Sequence, residues 1–438
     1  MRRFFNTVLI VSLLTFLAKM AIVCKELVVS SRYGRQDEVD AFLIAFLIPS
    51  FIISILGNAM NAAFIPVYVE VREKEGKAAA QRLFTDMNLL TLGASLLIAV
   101  LIYLSAPFFL PLIASGFSGP KLELTRHLLL LVTPTLLFSG VFSVWGALAN
   151  AQEKYALVVL TPILTPLLII LLLFLTPSRG IYSLADGSLL GSFLELLVVG
   201  LFLRARGVLH GLGDGLRSNL RSVAVKKVLS QFLPASAGAL LMISTLLVDQ
   251  AMAATLPAGS VAALSYGNKV IGFLLTIIST TLATVLLPFF SKQLSGGAGS
   301  EFSRRLRKSV LLVFCSAFVF PLLLTAFSET IVRWIFYRGA FTEMDVKLVA
   351  GVQSWLSWQI PFYICGVILV KFIASIQRNW ITALVCCCNL AANIVLNLLL
   401  MRRMGVNGIA LSTSLVHVLS LLLLVGFVYF SGKRSRTF

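Results

Sequence analysis

The sequence predicts an all-α polytopic membrane protein, and three observations lead there. The 438-residue chain is 58% hydrophobic and only 12% charged. Apolar runs long enough for a helix to cross the hydrocarbon layer, about 20 residues each, recur from one end to the other. The polar stretches between them are short, so no soluble domain is needed to explain any part of the chain. A membrane-spanning barrel also satisfies its backbone groups in lipid, but it shows short alternating segments instead of continuous apolar runs.

Taken in order, about twelve transmembrane helices are expected, centred near residues 16, 50, 96, 138, 166, 193, 242, 278, 318, 360, 391 and 419. The first follows a basic start, MRRFF, and reads as a retained helix because small-residue cleavage signals are poor there. The second contains Pro49 and Gly57, which predict an interrupted helix. The net charge of +18 is a topology signal. With the N-terminus placed inside, Lys and Arg concentrate on the cytoplasmic connections, which puts both termini in the cytoplasm. The largest basic connection, RARGVLHGLGDGLRSNLRSVAVKK (204–227), reads as an orientation and lipid-headgroup feature. This distribution argues against nucleic acid as a partner. The six cysteines all fall within apolar spans, where Cys acts as a small hydrophobe, so neither a disulfide framework nor a cysteine metal site is expected. There is no G-x-x-x-x-G-K-[ST] loop for ATP, and His127, His210 and His417 are too dispersed for a catalytic constellation. The reading is therefore not an enzyme, and any driving force is an ion gradient, the membrane potential or consumption of substrate on the far side.

The chain also repeats itself. AFIPVYVEVREKEGKAAAQRLF (63–84) corresponds to TVLLPFFSKQLSGGAGSEFSRRLR (284–307), IASGF with Gly116 to FYRGAF with Gly339, and AQEKYALVVL (151–160) to IQRNWITALV (376–385). The offsets are 222, 223 and 225 residues. A near-constant offset argues for internal duplication, giving six-helix lobes over 1–222 and 223–438. An even number of spans per lobe makes the repeats parallel, around a central cavity open alternately to each side. That is a transporter architecture. A scaffold with duplicated helices is the alternative from the same pattern.

Charges inside the spans narrow the function. TFLAKMAIVCKELVV (15–29) carries Lys19, Lys25 and Glu26, each costing about 2.5–3.5 kcal/mol at a helix centre. At 100° per residue, Lys19 and Glu26 lie about 20° apart and Lys25 about 120° from Lys19, so one face of this helix is expected to meet water. The second span adds Asp40, Asn58 and Asn61, and the eighth adds Asn268 and Lys269. Lys25 and Asp40 also suit snorkelling to the interface, and Lys19 and Lys269 a buried ion pair. Three lysines against fewer carboxylates favour an anionic ligand such as phosphate, whereas a site for cationic drugs would be acidic. The eleventh span shows Asn389, Asn393 and Asn397 at i, i+4 and i+8. With Asp249 and Thr413 these offer oxygen ligands to a cation such as Na+, or else simple hydrogen bonds between helices.

At this point DEVDAFLIAFLIPSF and NAAFIPVYVE, with the distant AGSVAALSYGNKVIGF and TVLLPFFSK, resemble the MurJ/MviN family of lipid II flippases, within the multidrug/oligosaccharidyl-lipid/polysaccharide exporter superfamily. The resemblance runs over essentially the whole chain. It implies two lobes, alternating access, and a polyprenyl-diphosphate sugar substrate flipped from the inner to the outer leaflet of a bacterial cytoplasmic membrane. It places functional cavity residues at Lys19, Lys25, Lys269 and Asp40. With Glu26, Asn58, Asn61 and Asn268 these form the expected substrate site. Lysine stands here where the family typically has arginine, FIIS (51–54) replaces an arginine pair, and Gly272 replaces a frequent glutamate. Many members have two further spans that form a groove for the lipid tail. The resemblance also implies Na+ coupling through Asp249, Asn393, Asn397 and Thr413, with H+ as the other candidate ion and no other cofactor. Expected partners are the anionic lipid-linked saccharide, membrane lipids and envelope synthase machinery, around a monomer. Flipping of an exopolysaccharide or O-antigen repeat unit, and cation-coupled multidrug export, remain the alternatives.

Overall fold

α-Helix dominates the computed structural model, which describes residues 2–206, 220–295, 300–376 and 378–434; apart from two single-turn 3-10 segments, no other regular element, and no strand, occurs among them. In order the helices are α1 (Arg2–Tyr33), α2 (Asp37–Lys74), α3 (Lys77–Ile113), α4 (Gly119–Val132), α5 (Thr135–Ala151), α6 (Tyr155–Leu160), α7 (Leu164–Leu175), α8 (Tyr182–Ala205) and α9 (Val223–Ala253). They continue as α10 (Ser260–Ser295), α11 (Ser300–Ala317), α12 (Val319–Ala326), α13 (Ser328–Phe336), α14 (Glu343–Ser357), α15 (Gln359–Ser375), α16 (Asn379–Met404) and α17 (Val406–Arg434). Most of the basic 204–227 connection, with His210, lies outside the described residues.

Among the described residues, ten helical segments are long and apolar enough to cross a membrane, or eleven if the pair Val310–Ala326 and Ser328–Phe336, bent by 65°, counts as one. Local chemistry explains where spans bend. α4 and α5 form one span broken at Thr133 and Pro134, and α6 joins α7 through a 3-10 turn containing Pro162. Proline lacks the N–H that would continue the ladder. α2 differs from the sequence expectation, since it runs unbroken through Pro49, Gly57 and Pro66. Packing against α4 and α5 supports the helix where one backbone bond is missing. Leu97, Leu101, Leu104, Phe108 and Leu112 of α3 are all exposed at helical spacing, a stripe suited to lipid.

The chain forms two compact units. Unit 1 holds residues 1–29 and 37–243. Its core joins Phe64, Phe84, Met87, Leu148 and Val228, drawn from α2, α3, α5 and α9. Unit 2 holds residues 30–36 and 244–438. There Cys365, Ile373, Ile381 and Leu424 pack α15, α16 and α17 together.

Segment 30–36, the junction between α1 and α2, is thus part of unit 2. Arg35 donates from Nε to Asp345 Oδ1 at 2.9 Å and from Nη1 to the Ala258 carbonyl at 2.9 Å. The Tyr266 hydroxyl donates to the Gly34 carbonyl at 3.1 Å, and the Ala340 N–H to the Ser31 carbonyl at 2.7 Å. Gly339 sits at φ +57°, and a Cβ there would strike the Ser31 carbonyl oxygen. Only glycine suits both demands. Asp345 also closes a capping box at the start of α14, accepting from the Thr342 N–H at 2.9 Å while Thr342 Oγ1 accepts from the Asp345 N–H at 3.3 Å.

Candidate functional site

The expected site residues fall into clusters that each unit builds for itself. In unit 1, Lys19, Lys25 and Glu26 all lie on α1, a continuous 32-residue helix. Lys19 and Lys25 are half-buried and Glu26 is buried. Lys25 Nζ lies 2.8 Å from Glu26 Oε1, so two of the three charges pair with each other. Lys19 has no hydrogen-bonding or ionic partner among the described residues. A half-buried ammonium in a membrane-length helix is costly without a counter-charge, and such groups mark substrate paths.

α2 begins with Asp37, Glu38 and Asp40 in its first turn, where the partial positive charge of the helix N-terminus favours acids. Asp40 is only 1% exposed, and its Oδ2 lies 2.9 Å from Lys121 Nζ. Lys121 also reaches Asp37 Oδ1 at 2.6 Å and sits 4.1 Å from the centre of the Phe117 ring. The sequence reading missed Lys121, which stands in SGPKLELTRH, a polar stretch that looks like an exposed connection. In the structure this stretch opens α4, with Pro120 in its first turn, and α4 packs on α2. The one available signal was the presence of a lysine just past a Gly-Pro helix start.

Asn58 is exposed on α2. Asn61 is already engaged, since its Nδ2 donates to the Gly57 carbonyl and its Oδ1 accepts from Asn150 Nδ2, both at 2.8 Å. It therefore ties α2 to α5. A further intramembrane acid that the sequence reading passed over, Glu195 of α8, takes a hydrogen bond of 2.5 Å from Thr165 Oγ1 of α7.

In unit 2, Asn268 and Lys269 are half-buried on α10. The second cluster there is more tightly built. Asp249 Oδ1 accepts from Asn393 Nδ2 at 2.9 Å and Asn397 Nδ2 at 2.7 Å, and Oδ2 accepts from Thr413 Oγ1 at 2.9 Å. All four residues named from the sequence thus meet, from α9, α16 and α17. Asp249 is 4% exposed and both asparagines are fully buried. The asparagines are one turn apart on α16, which places both amides on a single face. Three neutral donors thus serve the two carboxyl oxygens. Asn397 Oδ1, Asn389 Oδ1 and Gln250 Oε1 are buried with no hydrogen-bond partner among the described residues. The orphaned Asn397 oxygen, on a residue that is itself bonded to the Asp249 carboxylate, is a hard oxygen ligand of the kind that suits an alkali or alkaline-earth cation. No group of three or more His, Cys, Asp or Glu able to hold a metal occurs among the described residues.

A family model described as lipid II flippase MurJ matches residues 29–437. A Bdellovibrio bacteriovorus protein described as a probable lipid II flippase MurJ is 25% identical over 397 residues, covering 88% of this chain and 75% of its own length. A solved structure of lipid II flippase MurJ in an inward closed conformation has a TM-score of 0.80 at 22% identity, over 96% of this chain and 87% of that one. An inward-facing multidrug resistance MATE family transporter of the MOP superfamily has a TM-score of 0.75 at 15% identity, over 97% of this chain and 98% of that one. At these identities the two structures speak to the fold alone.

Proposed function

The chain belongs to the lipid II flippase MurJ family, and on that premise we propose that it carries lipid II from the inner to the outer leaflet of a bacterial cytoplasmic membrane. It is a transporter, not an enzyme. The family match through residues 29–437 is the observation that carries this reading. The proposed lobes are residues 1–222 and 223–438, parallel repeats working by alternating access, with α1 as the twelfth span and both termini cytoplasmic. At about 1.5 Å per residue the 32 residues of α1 are ample for a crossing.

The substrate is anionic at its diphosphate. We assign its recognition to Lys19, Lys25 and Lys269, with Asn58 and Asn268 as polar lining and Asn61 holding α2 in place. Lys19 supports this most directly, because an ammonium with no partner among the described residues has its charge available for a phosphate. Glu26 and Asp40 set the charge state of the cationic face and gate it. Lysine presents compact point charges to the diphosphate, so contact is less geometrically specific than with arginine forks. The Asp249, Asn393, Asn397 and Thr413 cluster is the proposed Na+ site, supported by the orphaned Asn397 Oδ1. A sodium ion bound there would supply a positive charge beside the Asp249 carboxyl, whose three side-chain partners among the described residues are all neutral.

Complementation tests the reading. Cells depleted of their native lipid II flippase should grow when this chain is expressed, and Lys19→Ala with Lys269→Ala should abolish rescue at normal membrane levels. Full rescue by the double variant would overturn the lysine assignment, and failure of the unaltered chain would overturn the substrate.

A further inference from the structure

We propose that Lys121 is a positioning residue for flipping: it fixes the direction of the Asp40 carboxylate at the start of α2. The inference rests on the flippase reading above. Its basis lies wholly within unit 1. Asp40 is 1% exposed, so water does little to orient its carboxylate, and a buried polar group depends on partners within the protein. Lys121 Nζ at 2.9 Å is one such partner, from another helix. The ammonium is itself shielded, with its side chain 7% exposed and packed over the Phe117 ring at 4.1 Å. A lysine ammonium has three donors in a rotating tripod, and two of them serve Asp40 and Asp37.

The two carboxylates are not equivalent. Asp37 is 56% exposed and remains hydrated when Lys121 is gone, so its share of the pair is small. Asp40, at 1% exposed, is not hydrated in that way, so the change falls more heavily on it. Its direction is fixed because Lys121 is anchored by the first turn of α4, which packs along α2. Thr125 Oγ1 donates to the Lys121 carbonyl at 2.7 Å, tying the next turn of α4 to this residue. The cation is thus set by a helix start 81 positions away in sequence, and the functional acid by its own helix start.

The experiment is flipping of fluorescent lipid II by the full chain in proteoliposomes, normalised to folded protein by size-exclusion profile. Wild-type flipping is read first, and its absence refutes the flippase reading rather than the role of Lys121. Given an active wild type, Lys121→Met should slow flipping at least about tenfold, and Lys121→Arg should restore it to within about threefold. Asp40→Asn should be comparably slow, and the Asp40→Asn/Lys121→Met double variant no slower than Asp40→Asn alone. If Lys121→Met does not fold, Lys121→Gln, which keeps a donor without the charge, takes its place with the same expectation. The proposal fails if the folded neutral variant flips within about twofold of wild type, if arginine does not rescue it, or if the losses multiply in the double variant.

Discussion

Replacing Arg35 by leucine should cost unit 2 about 3 kcal/mol, and the figure follows from its contacts. Arg35 donates to Asp345 Oδ1 and to the Ala258 carbonyl, each at 2.9 Å. The side chains are 18% and 9% exposed, between the surface ion pair, worth about 0–1 kcal/mol, and the buried pair, whose one-sided removal costs about 3–5 kcal/mol. Asp345 keeps the Thr342 N–H on its other oxygen, so about 2 kcal/mol is assigned to losing the cation. The Ala258 carbonyl loses its guanidinium donor at about 1 kcal/mol more. At about 2–4 °C per kcal/mol for a body of this size, the thermal midpoint in detergent should fall by about 6–12 °C. Pairing the change with Asp345→Asn in a double-mutant cycle should give a coupling of about 2 kcal/mol. A midpoint within about 1 °C of wild type, or a coupling under about 0.5 kcal/mol, would refute the idea that this contact fastens segment 30–36.

Other outcomes follow from the same structure. Gly339→Ala combines a left-handed backbone, costing about 1–2 kcal/mol, with a clash against the Ser31 carbonyl oxygen, whereas Gly76→Ala at φ +90° meets open space and carries the strain alone. The thermal midpoint should drop clearly further for Gly339→Ala, and equal drops would show that the close approach to Ser31 does not constrain the fold. Exchanging K+ for Na+ should stabilise the protein by about 1.4 kcal/mol at ten times the dissociation constant. Asp249→Asn should remove the effect, and a sodium shift that survives this change would place the ion elsewhere. Replacing Lys227, whose ion pair with Glu70 is 44% and 37% exposed, by alanine should leave the thermal midpoint at the wild-type value, because solvent screens such a pair, and a clear drop would show that it matters to the fold.

Much of the fold could be read before any coordinates. Whether a stretch is a spanning helix depends on about 20 consecutive residues, and that information is contiguous. The span centres near 96, 138 and 360 fall within α3, the α4–α5 span and the α14–α15 span. Proline was a less certain guide. Pro134 and Pro162 sit at breaks while Pro49 does not, because neighbouring helices decide whether a missing backbone bond is tolerated. The spacing of Asn393 and Asn397 placed their amides on one face, since helical periodicity is also local.

The identities of the charged partners were of another kind. Arg35 meets Asp345 across 310 positions, Asn393 meets Asp249 across 144, and Lys121 meets Asp40 across 81. Nothing in SGPKLELTRH distinguishes a lysine in water from one sealed against a buried carboxylate. Composition and periodicity sufficed for helices and membrane because apolar transfer energy accumulates residue by residue along the chain. Which charges face each other inside the membrane rested on packing, because the energy of a buried charge depends on the few ångströms around it and those are filled by distant segments.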